Sequence, residues 1–334
     1  MQDFISLYRD FQKLLEKSNK ILLLCHRRPD GDTLGAATAL FEALQNMGKA
    51  PTMACVDTPT ERFSFLPNIR KLVKEFDYKT FDLIIVSDAG AHYMTQYHEI
   101  YPGIFSGEHV PVSNIDHHAS NDYFGTLNIV DPVAASATVI LHRIFSFLKI
   151  KITPNIATAL LAGIYNDTGS FMHSNTTQEV FEIAADLTRK GGKVYPISQN
   201  MFKTATPASL RLWGKALENM TVTKKGAAVS VLTLGDFDDS GADLEDSGGV
   251  IDLLNAVPGI RFSMLLTEDR KGFIKGSLRT QRDDVDLSAM AGTFGGGGHK
   301  KASGFTVKGR IEREMQWKIV SETGENVAEK LLSL

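Results

Sequence analysis

Cysteine is scarce: the 334-residue chain has two, Cys25 and Cys55, each beside an apolar strand-like run. Two such thiols are no disulfide framework. They predict buried, reduced side chains and a cytoplasmic location. Long apolar runs are lacking too. No stretch approaches the ~18 residues that span a bilayer. The opening "MQDFISLYRDFQKLLEKSNK" reads as an amphipathic helix of mixed charge, without the apolar core of a signal peptide. No membrane association is expected. An excess of positive charge is also missing: 36 basic against 39 acidic residues leave a net charge of -3. That argues against a broad surface for long duplex nucleic acid, but not against a small nucleotide held by a few local cations.

What is present is a globular composition, 43% apolar, at a length that suggests two domains. Apolar strands at 20–26, 50–56, 81–90 and 110–118 alternate with helical segments, of which 33–48 ends at Gly48. Continuous apolar strands of this kind predict an α/β fold, a parallel sheet flanked by helices. Helices are expected at about 134–149, 154–166 and 177–190, completing a domain over 1–190. Residues 191–220 read as a helical connector. The rest, 221–334, reads as a smaller mixed α/β domain. It has strands at 226–234 and 260–269, a hairpin at 270–281, a short helix at 286–294 and a glycine run in "GGGGHKKASGFTV" (295–307). A helix at about 324–333 closes the chain. A cleft between the two domains is expected to hold the ligand.

The chemistry-bearing residues concentrate where the predicted strands end. "KILLLC" runs into "HRRPDGDTLG" (26–35), which holds His26, Asp30 and Asp32. Gly31 allows a turn tight enough for the two carboxylates to converge. A later strand ends at Asp88, another in Asp116, His117 and His118, and Asp167 lies in "GIYNDTGSF" (163–171). Singly, each has an ordinary explanation. Asp32 ahead of "TLGAATAL" fits a helix N-cap, and a lone histidine at a strand end is more often hydrogen-bonded structure than a ligand. The set is harder to dismiss. Strand ends on one edge of a parallel sheet are spatial neighbours. Up to five carboxylates crowded there, counting Asp167 after its helix, would repel by on the order of several kcal/mol unless cations lay between them. Oxygen-rich donors with one or two imidazoles suit Mn²⁺ or Mg²⁺ better than structural Zn²⁺. The number of carboxylates suits two ions, the clamp of phosphoryl chemistry.

In these segments the chain resembles the DHH phosphoesterases. Asp116-His117-His118 matches the signature triplet, and "HRRPDGDTLG", "VSDAG", "NIDHH" and "YNDTGSF" match the N-terminal motifs in order. "GGGGHKKASG" and "GSLRT" resemble the glycine-rich motif and the substrate-arginine strand of the DHH-associated C-terminal domain. The form without extra domains is most similar to the nanoRNase and pAp (3′-phosphoadenosine 5′-phosphate) phosphatase subgroup.

The resemblance implies one metal on His26, Asp30 and Asp88, and a second on Asp32, Asp88, His117 and Asp167, with Asp88 bridging. His118 would face the substrate phosphate, and Asp116 would orient an imidazole or a water without binding a metal. Ser277, Arg279, Gly296, Gly297, Gly298 and His299 would bind substrate. Mn²⁺ is the expected pair of ions, with Mg²⁺ or Co²⁺ as alternatives. The expected reaction is hydrolysis of short RNA oligonucleotides, pAp or linear dinucleotides such as pApA to mononucleotides. The alternatives are an inorganic pyrophosphatase or exopolyphosphatase, and a non-catalytic nucleotide sensor. Lys300 and Lys301 read as solvated surface; His92, His98, His109 and His142 as surface or packing residues. Ser136 in "DPVAASAT" fits either a helix N-terminus or the site, and His173 is a candidate substrate contact. A homodimer through the N-terminal domain is compatible with the sequence, though no feature calls for one.

Overall fold

Strand residues that are apolar without alternation must be covered on both sides, and the first strands show this directly. The computed structural model describes residues 3–202 and 205–312. Its chain divides after Thr206 into two units. The first runs α1 (Phe4–Lys17), β1 (Lys20–Leu24), α2 (Gly31–Asn46), β2 (Ala50–Ala54), β3 (Leu83–Ser87), α3 (Tyr97–Ile100), β4 (Val112–Asp116), β5 (Leu127–Val130), α4 (Ala137–Phe147), α5 (Pro154–Asp167), α6 (Gln178–Arg189) and α7 (Val194–Phe202). Its sheet is parallel throughout, in the order β2-β1-β3-β4-β5. Ile21, Leu23 and Cys25 join a core with α1, α2, α4, α5 and α6, whereas Leu22 and Leu24 join a second core with Tyr78 and Tyr97. One strand thus supplies two cores, which is why its sequence does not alternate. Cys25 and Cys55 are buried and free.

The strand order reverses between β1 and β3, so the ends of β1, β3 and β4 lie side by side. Such an edge is where open α/β sheets place their sites. Two glycines allow α2 and α5 to press together behind it. A Cβ on Gly35 would stand 2.4 Å from the Ala159 carbonyl oxygen, and one on Gly163 would stand 2.4 Å from Asp32 Oδ1.

Helix α2 begins two residues before the expected start at 33, and this corrects the N-cap. Asp30, not Asp32, caps it: Asp30 Oδ1 accepts from the backbone N–H groups of Asp32 and Thr33 at 2.9 and 3.2 Å. Asp32 instead sits inside the first turn, fully buried.

The second unit runs α8 (Pro207–Glu218), β6 (Thr221–Val222), β7 (Ala227–Leu232), α9 (Leu234–Ser240), α10 (Val250–Asn255), β8 (Phe262–Glu268), β9 (Phe273–Arg279), α11 (Leu287–Gly292), β10 (Gly297–His299) and β11 (Ala302–Lys308). Its mixed sheet has the order β10-β11-β9-β8-β7-β6, with β7 and β8 parallel and the other neighbours antiparallel. Of the segment 191–220, α7 packs Ile197 into the core of the first unit, while α8 packs Leu212 and Ala216 with Leu232, Phe237 and Leu254 in the second. The helix expected at 324–333 lies outside the described residues.

Candidate metal centre

Asp88 is the hub of the first unit's sheet edge. Its backbone is left-handed (φ +60°), uncommon for a side chain with a Cβ. Its N–H donates to the Ile115 carbonyl of the neighbouring strand at 2.9 Å. The carboxylate is nearly inaccessible and points its two oxygens at different imidazoles. Oδ2 is 3.4 Å from His26 Nε2, and Oδ1 is 3.4 Å from His117 Nε2. His26 also lies 3.7 Å from Asp30 Oδ1, and His117 lies 3.2 Å from Asp167 Oδ2. Two groups result, His26–Asp30–Asp88 and Asp32–Asp88–His117–Asp167. In each, one donor atom per residue falls within 4.8 Å of all the others.

The two adjacent histidines of the triplet differ in how they are held. His117 turns Nδ1 to the Ala134 carbonyl oxygen at 3.4 Å, so Nδ1 donates, and Nε2, which faces the carboxylates, is the nitrogen that would offer its lone pair to a cation between them. His26 does the same through the Arg27 carbonyl oxygen at 2.8 Å. A carbonyl behind the ring that fixes the tautomer is the usual support of a metal-binding imidazole. His118 instead turns Nδ1 to Asp116 Oδ1 at 2.8 Å. Asp88, Asp116 and His118 also lie close together, but Asp116 is already occupied. Its Oδ2 accepts from Asn121 Nδ2 at 2.6 Å and from the His118 N–H at 3.2 Å.

Asp32 is held by the start of α4. Its Oδ2 accepts from the Ala137 N–H at 2.6 Å, and Oδ1 accepts from the Thr138 N–H and hydroxyl at 3.1 and 2.7 Å. The positive end of the helix dipole supports a carboxylate there. Burial still dominates and drives the Asp32 carboxyl well above its ordinary range, with Asp167 and Asp88 adding repulsion. Burial likewise raises Asp167, against the pull of His117. Burial also opposes the ionisation of Asp88, yet His117 and His26 outweigh it and hold that carboxyl well below the usual range. Both imidazoles are raised in return: burial lowers them, and their carboxylate partners more than compensate. These carboxylates outnumber the imidazoles facing them, and Asp32 and Asp88 are buried. This donor set fits divalent cations, which would neutralise it, better than protons do.

The substrate residues expected in the second unit fall on both faces of its sheet. Arg279 pairs with Ala302, and Ala302 with His299. Ser277, Gly304 and Gly297 form the next row in the same way. Cross-strand partners share a face, so Arg279, Ser277, Gly297 and His299 share one. Gly298 stands in the intervening row with Ser303 and Leu278, on the opposite face. The glycine run is partly explained by the hairpin itself. A Cβ on Gly296 would lie 2.2 Å from the Gly304 carbonyl oxygen, and Gly298 has φ +136°. Around Gly297 the space is open. Arg279 is oriented by Asp252, 3.6 Å from its Nε, and donates from Nη1 to the Leu278 carbonyl at 3.0 Å.

Other residues resolve simply. Ser136 is the N-cap of α4, accepting from the Val139 N–H at 3.2 Å. His142 pairs with Asp186 at 3.0 Å. His173 lies over Gly169 with Nδ1 3.2 Å from the Asp167 carbonyl oxygen. Sequence reasoning missed the asparagines. Asn121 Nδ2 reaches both Asp116 and, at 2.8 Å, Asn114 Oδ1, while Asn166 Nδ2 touches Asp30 and Asp167.

The fold and the paired groups define a two-unit α/β protein with carboxylate–imidazole clusters that could hold metal ions at a parallel-sheet edge. Residues 20–164 match the model of the DHH family, N-terminal domain, and residues 224–323 match the DHHA1 domain. The chain belongs to the DHH family. It is 33% identical over 293 residues to the bifunctional oligoribonuclease and PAP phosphatase NrnA of Thermus thermophilus, covering 86% of this chain and 84% of that protein. The protein of the same name in Bacillus subtilis is 27% identical over 296 residues, 86% of this chain and 89% of that one. Among solved structures, an exopolyphosphatase-related protein from Bacteroides fragilis shares the fold. Its TM-score is 0.83 at 24% identity, with 93% of this chain and 92% of that chain covered.

Proposed function

We propose that the chain is a two-cation phosphoesterase that hydrolyses short oligoribonucleotides, pAp or linear dinucleotides such as pApA to mononucleotides. The observation that carries this reading is the pair of carboxylate–imidazole groups sharing Asp88. The names of the Thermus and Bacillus relatives support the substrate class. His26, Asp30 and Asp88 would hold one cation, and Asp32, Asp88, His117 and Asp167 the other. The mixture of hard carboxylate oxygens with two imidazoles favours Mn²⁺, with Mg²⁺ or Co²⁺ as alternatives. When bound, such a pair supplies Lewis-acid charge at the phosphoryl group and makes water a competent nucleophile near neutral pH.

The chain's own groups do the rest. Asp116 holds His118 with Nδ1 as donor, leaving Nε2 to contact the phosphate, and the aspartate stabilises the imidazolium form. Burial pulls the His118 pKa down, but Asp116 and Asp88 outweigh it and raise it, a direction that favours the ring as a donor to an anionic oxygen. In the second unit, Arg279 offers a planar fork suited to a phosphate, with Ser277 and His299 on the same face and Gly297 leaving room for close approach. No described helix is long and apolar enough to cross a membrane. The two free cysteines favour a cytoplasmic setting.

The test is direct. Metal-stripped and Mn²⁺-loaded protein is incubated with pApA, pAp, a labelled five-residue RNA and pyrophosphate, and the products are separated. Mononucleotide release that requires the cation is expected. Turnover of pyrophosphate alone would replace this reading with a pyrophosphatase, and turnover of none would leave a sensor.

A further inference from the structure

Asn166 stands between the two groups. Its side-chain nitrogen lies 3.3 Å from Asp30 Oδ2 and 3.0 Å from Asp167 Oδ1. Ionised carboxylate oxygens only accept hydrogen bonds, so the amide end facing them is its NH₂, whose two hydrogens match two acceptors. Each carboxylate turns its other oxygen to its own group: Asp30 Oδ1 towards His26, and Asp167 Oδ2 towards His117. The amide therefore grips the outward oxygen of both. It restrains rotation about the terminal carboxylate torsion, which is otherwise soft. Asp30 belongs to one group and Asp167 to the other. Asn166 is thus a second link between them beside Asp88, made by a neutral donor instead of a shared charge.

The link is held in place by packing. Asn166 is on the last turn of α5, next to Asp167 itself. The first residue of α2 closes down on it, since a Cβ on Gly31 would stand 2.8 Å from Asn166 Cβ. Asp30 has little freedom to adapt, because its Oδ1 also caps α2. The amide can therefore serve both carboxylates only while both keep these orientations.

We propose that Asn166 is a positioning residue that orients one carboxylate of each group, so that two divalent cations are taken up cooperatively. This rests on the two-cation reading. Filling one group fixes the torsion of its carboxylate, the shared amide follows, and the carboxylate of the other group is presented already turned. An alanine uncouples the two carboxylates, leaving Asp30 to its capping bonds alone and Asp167 without its amide restraint, and removes the donor that separates their charges.

The experiment is an Mn²⁺ titration of the metal-stripped full chain, by calorimetry or competition with a fluorescent chelator, with circular dichroism to verify folding. Wild type is expected to bind two ions with a Hill coefficient above unity. Asn166→Ala is expected to bind two ions about tenfold or more weakly, with the coefficient falling to unity. In excess Mn²⁺ its kcat on pAp should return while KM stays within about twofold of wild type. Asn166→Ser, which keeps one donor, serves should the alanine variant not fold; it should lose cooperativity with a smaller loss of affinity. Wild-type affinity and cooperativity in either folded variant overturn the proposal, as does non-cooperative uptake by the wild type. A wild-type chain that binds no Mn²⁺ overturns the two-cation reading itself, a result distinguishable from both.

Discussion

Asp116 Oδ1 lies 2.8 Å from His118 Nδ1, while the adjacent His117 turns its Nδ1 to the Ala134 carbonyl oxygen. Neighbouring residues of one type therefore present different chemistry. His117 keeps Nε2 turned to Asp88 and Asp167, where it would offer a lone pair to a cation, and His118 is backed by a carboxylate that favours its protonated form. Replacing Asp116 by Asn keeps the shape and removes the charge. The expected outcome is a fall in kcat on the order of 10²-fold with two ions still bound, read from steady-state kinetics beside metal analysis. Unchanged kcat would show that Asp116 serves the fold alone.

Exchanging the two imidazoles one at a time separates their roles. His117→Ala is expected to lose bound metal and activity together, because His117 reaches both Asp88 and Asp167. His118→Ala is expected to keep its metal and lose turnover. Metal content measured after gel filtration decides this, and a His117→Ala protein with full occupancy and rate would reverse the assignment.

Most carboxylates and histidines of this centre are legible in the sequence because they cluster at the ends of apolar strands, and the strand order makes those ends neighbours; Asp167, at the end of α5, is legible only through its motif. The amides are not. Asn114 and Asn121 lie within the same "NIDHHASND" stretch as the triplet, yet an asparagine is informative only once its partners are known, and theirs are Ala89, Asp116, Tyr123 and each other. Asp32 misled for a related reason. Asp30 and Asp32 both fit the start of a helix, and only the depth of α2 shows which one caps it. The glycine run is only partly legible. Gly296 and Gly298 serve hairpin packing, and whether a glycine faces a neighbouring strand or open space depends on a register that composition does not carry.

The centre also predicts a pH dependence. Without cations, His26 and His117 have pKa values raised by their carboxylate partners against the effect of burial. A raised imidazole stabilises the fold fully below its unfolded value, about 6.5, and that contribution is lost as pH rises through the folded value. Asp32 and Asp167, raised by burial, act in the same direction once the pH exceeds the ordinary carboxyl range. The metal-free chain should therefore melt at a lower temperature at about pH 9 than at about pH 6.5. Cation uptake expels the retained protons, so Mn²⁺ affinity should rise with pH. Melts in chelator, with calorimetry in two buffers of different ionisation enthalpy, measure both. A metal-free melting temperature that climbs over this range would contradict the charge arrangement.

Gly163 tests whether the close crossing of α2 and α5 builds the centre. Its missing side chain leaves room for Asp32 Oδ1 and Thr138 Oγ1, each 2.4 Å from where a Cβ would stand. Those two atoms are hydrogen-bonded to each other at 2.7 Å. Gly163→Ala must displace that pair or spread the helices, and overpacking of this kind costs about 1–3 kcal/mol. Alanine is also the better helix former, worth up to about 1 kcal/mol in the other direction. A net loss of stability therefore shows that packing, not propensity, decides at this position. Denaturant melts should show a lower midpoint with an unchanged slope, and the folded variant should bind the second cation more weakly because Asp32 is displaced. Equal or greater stability with full metal affinity would mean that the crossing relaxes freely and does not set the position of Asp32.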